Sequence, residues 1–440
     1  MRRPLLFPPD VGAIAAVAAC AMLVAACGNG GDASRSVTLS ECRLPKMATA
    51  AQCGTIEVPE NRDQPDGRRI SIAFAVLPAN TLAPKPDALL LLPGGPGQSG
   101  DALVPFASRL GEVRRTRDLV LIDPRGSGRS APLHCPALEP EDAEDAMLDA
   151  DPVPAAARCA KELAAEGVDA SQYTTANWVA DVEAVRAALG YPQWNVWGGS
   201  YGTRVALEYA RRHPARVRTM VLDGVAPPSL RISLGVWETR DRALDQLFEA
   251  CGTSKACSAA HPDLAASLRA IRDALGPTGR VVAFVDPRTG DREERRLTFD
   301  VVLASLQALL YLPELSSVVP ALLGSAASGD FGPLMAAAML ISGDIAKQTS
   351  GALHYSVTCA EDVPRITPQD LKRLEGRYVE PLARRVFAVC DVWPRGRQPA
   401  DATTPVVSAI PTLLVSGGLD PVTPPQYAEE VAKTLSNHRH

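Results

Sequence analysis

Ser200 stands in the stretch Trp194-Asn195-Val196-Trp197-Gly198-Gly199-Ser200-Tyr201-Gly202-Thr203-Arg204. This G-x-S-x-G follows a short apolar run and precedes a helical pattern. A serine on a sharp strand-to-helix turn presents its hydroxyl as an acyl-transfer nucleophile. Gly198 and Gly202 suit that turn, because a side chain at either would collide across it. A helix beginning near Tyr201 aims its N-terminus at Ser200 and favours negative charge developing there. The competing reading, a glycine-rich turn that only packs a strand on a helix, leaves Ser200 without chemistry.

A second stretch, Leu92-Pro93-Gly94-Gly95-Pro96-Gly97-Gln98-Ser99-Gly100, follows the apolar run Leu89 to Leu92. Its glycines let backbone N–H groups approach an oxyanion, and Gly95 N–H with Tyr201 N–H is the expected oxyanion hole. The phosphate-loop pattern G-x-x-x-x-G-K-[ST] is absent. A third stretch, Asp123-Pro124-Arg125-Gly126-Ser127-Gly128-Arg129-Ser130, reads as structural, with Asp123 and Arg125 fixing the loop beside the oxyanion turn.

These motifs occur in order with Ser416-Gly417-Gly418-Leu419-Asp420-Pro421-Val422-Thr423-Pro424. Together they resemble the prolyl iminopeptidase and tripeptidyl aminopeptidase group of α/β-hydrolases, over roughly residues 40 to 440. Pro93 stands where that group often has histidine, which leaves the backbone donors intact. The resemblance makes Asp420 the acid of a Ser–His–Asp triad. Asp420 also follows an apolar run, at a strand's C-terminal end, where open α/β sheets place their sites. Its bland alternative is a turn aspartate before Pro421.

The general base is the gap in this reading. It is expected after one more helix, which Pro425 to Leu435 supplies, and one more strand. His438 and His440 stand where that strand should begin. A five-residue strand spans about 17 Å, so both would sit at its wrong end. His134, His213, His261 and His354 fit the role no better. The expectation is a sequence cut short before its catalytic histidine; with a natural end at residue 440, activity would be severely reduced.

The likeness also implies substrates with a free N-terminal amine, whose ammonium needs carboxylates. Thr358-Cys359-Ala360-Glu361-Asp362 offers Glu361, with Asp362 second, as that anchor. A solvated helix start is the plain alternative. The expected activity is release of amino acids or short peptides from peptide N-termini. A carboxylesterase using the same Ser200 stays open, since ester and amide cleavage share their chemistry. So does a non-catalytic lipoprotein.

Elements must position these groups. Ile70 to Val76, Leu89 to Leu92, Leu119 to Ile122, Trp194 to Trp197, Met220 to Leu222 and Thr412 to Val415 read as strands, several buried on both faces. Trp178, Val182, Val185 and Leu189 recur at helical spacing, and Gly190 stops that helix. Alternating strand and helix predict an α/β-hydrolase fold, a mostly parallel central sheet with helices on both faces. From 229 to 400 the alternation breaks into helices such as Thr239 to Ala250 and Val301 to Leu312. One hairpin, Val281 to Val285 with Arg296 to Phe299, interrupts them. This segment is expected to be a mainly helical inserted lid between a first core part, 41–228, and a second, incomplete part, 401–440.

Composition sets the outer bounds. The 440 residues are 46% hydrophobic and 22% charged, with a net charge of −5. Unclustered charge argues against a nucleic-acid partner. Arg2 and Arg3 precede an apolar stretch from Val11 to Ala26, too short for the ~20 residues of a spanning helix, which reads as an export signal over 1–26. Leu23-Val24-Ala25-Ala26-Cys27 resembles a bacterial lipobox, making Cys27 the expected lipid anchor to the cell envelope and 27–40 a flexible tether; an ordinary signal peptide, giving a secreted protein, or an uncleaved anchor is the alternative. Ten cysteines are present. Apart from Cys20 and Cys27, sequence order couples them as Cys42–Cys53, Cys135–Cys159, Cys251–Cys257 and Cys359–Cys390, one of on the order of a hundred connectivities. Compact Cys/His clusters are lacking, so no metal or other cofactor is expected. Oligomeric state is not encoded in any of these patterns.

Overall fold

The computed structural model describes residues 37–138, 151–311, 313–337, 349–377 and 380–440. The export signal, Cys27 and most of the tether lie outside the described residues, as does most of the acidic stretch between Pro136 and Pro154.

Among the described residues, nine strands form one sheet in the order β1-β2-β3-β5-β4-β6-β7-β10-β11. They are β1 Ser40–Cys42, β2 Ala51–Pro59, β3 Arg69–Leu77, β4 Leu89–Leu92, β5 Leu119–Ile122, β6 Trp194–Gly199, β7 Val217–Asp223, β10 Thr412–Val415 and β11 His438–Arg439. β1, β2, β3 and β5 pair antiparallel. From β5 across β4, β6, β7 and β10 to β11 every pairing is parallel. Parallel strands must be covered on both faces, which explains the uninterrupted leucines of β4; Leu90, Leu91 and Leu92 are fully buried.

The helix Thr175–Leu189 shows how local signals set the crossovers. Thr174 caps its start, its hydroxyl accepting from Asn177 N at 3.4 Å. Gly190 ends it at φ 75°, a left-handed value that glycine adopts without strain. Trp178, Val182 and Val185 are buried and join the sheet's main core. The apolar runs of β4, β5 and β10 have the bounds expected from sequence. β1 and β2 were not expected. β2, Ala-Gln-Cys-Gly-Thr-Ile-Glu-Val-Pro, mixes polar residues into a strand near the sheet's antiparallel edge, so no apolar run marks it.

Between β7 and β10 the described residues add no strand to the large sheet. A separate hairpin forms there, β8 Arg280–Val285 with β9 Arg292–Leu297. Its second strand begins four residues before the expected Arg296. Arg292-Glu293-Glu294-Arg295 has a polar pattern that resembles a loop, yet it pairs because Phe284, Val282 and Leu297 turn inward. The helices Ile232–Thr253 and Phe299–Leu310 start earlier than the apolar spacing suggested. One part of this segment builds its own core around Leu268, Ile271, Val302, Leu306 and Leu323. The later part packs with the sheet. Ala352, Val357, Cys359, Val389 and Trp393 belong to the same buried cluster as the sheet. The described residues of 229–400 are therefore divided between separate buried clusters.

Four disulfides are present: Cys42–Cys53, Cys135–Cys159, Cys251–Cys257 and Cys359–Cys390. Cys42–Cys53 staples β1 to β2. Cys359–Cys390 clips the end of the helix Gly351–Glu361 to the turn that follows the helix Glu380–Ala388.

Candidate active site

Ser200 sits between β6 and the helix Tyr201–Arg212 with φ 53° and ψ −122°, a left-handed φ that a serine adopts only under strain. The turn is held from below. Ser200 N donates to Asp223 O at 2.8 Å, and Thr203 N and Thr203 Oγ1 both donate to Ser200 O, at 2.9 and 2.6 Å. A Cβ on Gly198 would strike the Gly202 carbonyl, as the spacing implied. A Cβ on Gly202 would strike Leu92 O and Pro93 O at the end of β4. The second glycine is thus required by the oxyanion turn rather than by its own turn.

That turn lies against the nucleophile: a Cβ on Gly94 would be 3.2 Å from Ser200 Cβ. Gly95 has φ 107° and shares the cleft wall with Ser200. Tyr201 is the first residue of its helix, so its N–H has no intrahelical acceptor. The two expected donors are therefore carried on the two segments that meet at Ser200. The far side of the turn is clamped by the inserted segment: Ser350 N donates to Gly97 O at 2.9 Å. Asp123 Oδ1 accepts from Gly100 N at 2.8 Å, and its Oδ2 from Arg129 N at 3.0 Å. Asp123 therefore fixes the oxyanion turn. Arg125 faces away, bonding Asp181 at 2.7 and 2.8 Å, Glu60 O and Gln172 O.

Asp420 follows β10. Its Oδ1 accepts from Val422 N and Thr423 N at 2.8 Å each, and Oδ2 accepts from Thr423 Oγ1 at 2.8 Å. Thr423 also lines the Ser200 cleft, which connects the acid to the nucleophile. A second carboxylate lies here. Asp223 ends β7 beneath Ser200, and burial, then the charge of Asp420, raises its carboxyl while a Trp197 hydrogen bond opposes them. Asp223 escaped sequence reading, although it too ends a strand at the sheet's C-terminal edge.

The histidines fall as follows. β11 places His438 level with Thr412, at the start of β10. His440 Nε2 lies 2.6 Å from Ser416 Oγ. Neither borders the Ser200 cleft or contacts Asp420. His354, on the helix Gly351–Glu361, does enter the cleft wall, its Nδ1 3.3 Å from Pro96 O. Burial lowers its basicity, against the pull of the Pro96 carbonyl and Asp362. Among the described residues, no histidine meets Asp420.

The structure places Glu361 and Asp362, the expected amine anchors, away from the Ser200 cleft lining. Both are buried, 2% and 0% exposed, and neither lines the cleft. Glu361 accepts from Thr175 N and Thr175 Oγ1, each at 2.7 Å, and lies 3.8 Å from Arg204. Asp362 takes Arg204 at 3.1 Å and Arg365 at 3.3 Å. Burial raises the Glu361 carboxyl against the pull of Arg204 and Thr175. Burial opposes the Arg204 charge, but the two carboxylates prevail and hold its guanidinium above its usual range. Thr175 Oγ1 also bonds Tyr201 OH at 2.7 Å. The acids thus brace the residue that carries one oxyanion donor.

The cleft holding Ser200 has a volume of about 450 Å³. Its wall comes from the oxyanion turn, the helix Ile232–Thr253, Tyr311, His354, Tyr355 and Thr423. Among the described residues, no group of His, Cys, Asp and Glu could hold a metal ion, and no helix is long and apolar enough to cross a membrane.

The sequence of this chain matches family models described as alpha/beta hydrolase fold, over residues 87–272, and TAP-like protein, over residues 378–440. It is 30% identical to carboxylesterase B of Mycobacterium tuberculosis over 429 residues, covering 88% of this chain and 78% of that one. The chain belongs to the α/β-hydrolase family. This hydrolase is also 28% identical to serine protease Hip1 of Mycobacterium tuberculosis over 431 residues, 89% of this chain and 80% of that relative. Against the tripeptidyl aminopeptidase of Streptomyces lividans it is 35% identical over 210 residues, 43% of this chain and 37% of that one. With Ser200 on a strained elbow, it is an enzyme of the serine hydrolase class.

Proposed function

We propose that this hydrolase is an exported peptidase of the aminopeptidase type, which cleaves amino acids or short peptides from peptide N-termini through an acyl-enzyme on Ser200. The observation that carries the reading is that the strained Ser200 and the Gly95 turn share one cleft with Thr423, whose hydroxyl donates to Asp420. Ser200 Oγ attacks the scissile carbonyl, and its proton passes to a general base; the triad scheme gives that place to a histidine oriented by Asp420, a place that none of the described histidines fills. The carbonyl oxygen, now negative, is taken by the N–H groups of Gly95 and Tyr201. The base returns its proton to the leaving amine, and water then releases the acyl group by the same route. The names of two relatives support peptide substrates. Four disulfides support an oxidising compartment, and the N-terminal sequence supports export with a lipid on Cys27.

A second reading, a carboxylesterase, is favoured by two specific observations. One relative carries that name. The acids assigned to the ammonium are buried elsewhere, and among the described cleft residues no Asp or Glu replaces them. Tripeptidyl p-nitroanilides with free and with acetylated amines, compared with short acyl p-nitrophenyl esters, test the choice. The peptidase reading predicts turnover of the free-amine anilide and loss on acetylation. Hydrolysis of acyl esters alone would replace it with the esterase.

A further inference from the structure

Among the described residues, the Ser200 cleft contains one guanidinium, Arg240, and no carboxylate lines the cleft with it. Arg240 lies on the helix Ile232–Thr253, whose face Ser233, Val236, Trp237 and Arg240 turns into the cleft at helical spacing. Its Cζ stacks 4.5 Å above the Trp237 ring. Its Nε is sealed from solvent and has no hydrogen-bond acceptor. Among the described residues, no carboxylate pairs with Arg240 and none lines the cleft. The arginines nearby in the fold are spent differently: Arg204 on Asp362, Arg231 on Asp370 and Arg377 on Asp241.

Leaving a cation half-buried without an acid is unfavourable, and burial pulls the Arg240 guanidinium down to about 10 although the neighbouring Tyr311 opposes this. A side chain kept only for packing would be more stable as a neutral one. A planar guanidinium held on an aromatic face is, however, suited to receive a carboxylate on its free edge. Tyr311, in the same wall, can add a hydroxyl.

We propose that Arg240 is a specificity residue that binds a carboxylate of the substrate inside the Ser200 cleft. The carboxylate is either the C-terminus of a short peptide or an acidic side chain. This rests on the cleft being where Ser200 meets its substrate, and not on peptide rather than ester cleavage.

The test reads binding, so it does not depend on turnover. Titration calorimetry compares N-acetyl-leucine with N-acetyl-leucinamide, and N-acetyl-glutamic acid amide with N-acetyl-glutaminamide. Within one pair or the other, the acid should bind at least tenfold tighter than its neutral twin, and the pair tells terminal from side-chain carboxylate. Arg240→Met should abolish the preference, and Arg240→Lys should keep part of it. Arg240→Met should also melt no lower than the parent, since it removes an unpaired charge while retaining contact with Trp237. Equal binding of acid and amide in both pairs would overturn the proposal, as would a preference that survives Arg240→Met. A marked loss of melting temperature in Arg240→Met would assign Arg240 a structural role instead. Labelling of Ser200 by a fluorophosphonate, measured separately, decides whether the cleft is reactive and can fail without affecting this result.

Discussion

Replacing Glu361 with Gln separates a substrate anchor from a brace. In the structure Glu361 Oε1 accepts from Thr175 N and Oε2 from Thr175 Oγ1, both at 2.7 Å, with Arg204 at 3.8 Å. A Gln side chain keeps one acceptor oxygen and turns an amide toward the other donor. One hydrogen bond to a charged group is then lost, about 1.5–3 kcal/mol. Arg204 keeps Asp362 at 3.1 Å, so the larger penalty for an unpaired buried charge is not incurred. Arg204→Met incurs that penalty at Glu361, which loses its cation while Asp362 keeps Arg365 at 3.3 Å, and should cost about 3–5 kcal/mol. Urea unfolding measures both, provided the slope m stays constant between variants. Because Glu361 reaches the site only through Thr175 and Tyr201, Glu361→Gln should slow free-amine anilides and acyl esters by the same factor. An unchanged urea midpoint with loss confined to free-amine substrates would refute this reasoning and restore Glu361 as an amine anchor.

Other expectations follow from the same geometry. Gly202→Ala drives a methyl into Leu92 O and Pro93 O, so fluorophosphonate labelling of Ser200 should fall at least tenfold even in folded protein. Asp181→Asn deprives the buried Arg125 of its acid and should lower the unfolding free energy by about 3–5 kcal/mol, read by urea titration. Burial alone would raise the Asp370 carboxyl, but hydrogen bonds from Thr367, Arg231 and Arg373 hold it well below the usual range. The folded state then binds fewer protons than the unfolded one, so the contribution of Asp370 is present above about pH 4 and fades as pH falls. Asp370→Asn should flatten that part of the stability profile, and an unchanged acid slope would contradict it.

Much of the catalytic half could be read from residues because its signals are local. An elbow glycine answers to a carbonyl a few ångströms away, and an apolar run of four leucines has no stable place except between two layers. β2 hides because a strand beside the sheet's edge, covered by β1 only at Ala51–Cys53, tolerates Gln52, Thr55 and Glu57, which face solvent in part. The surroundings of Glu361 were hidden for a different reason. Two adjacent acids beside a cysteine look available in sequence, but Arg204 and Thr175, more than 150 residues away, claim them. Arg240 shows the reverse. An arginine in an amphipathic helix reads as solvated, and only the fold shows that its neighbours in the cleft carry no acid. Thr423 stood inside a recognised motif, yet its bond to Asp420 became visible only with coordinates.

The central claim is that Ser200 is the nucleophile. Fluorophosphonate labelling followed by trypsin and mass spectrometry tests it directly, because the tryptic peptide 187–204 contains Ser200 as its single serine. The account predicts one adduct on that peptide, lost in Ser200→Ala and weakened in Asp420→Asn. An adduct on another peptide, or labelling that persists in Ser200→Ala, would contradict it.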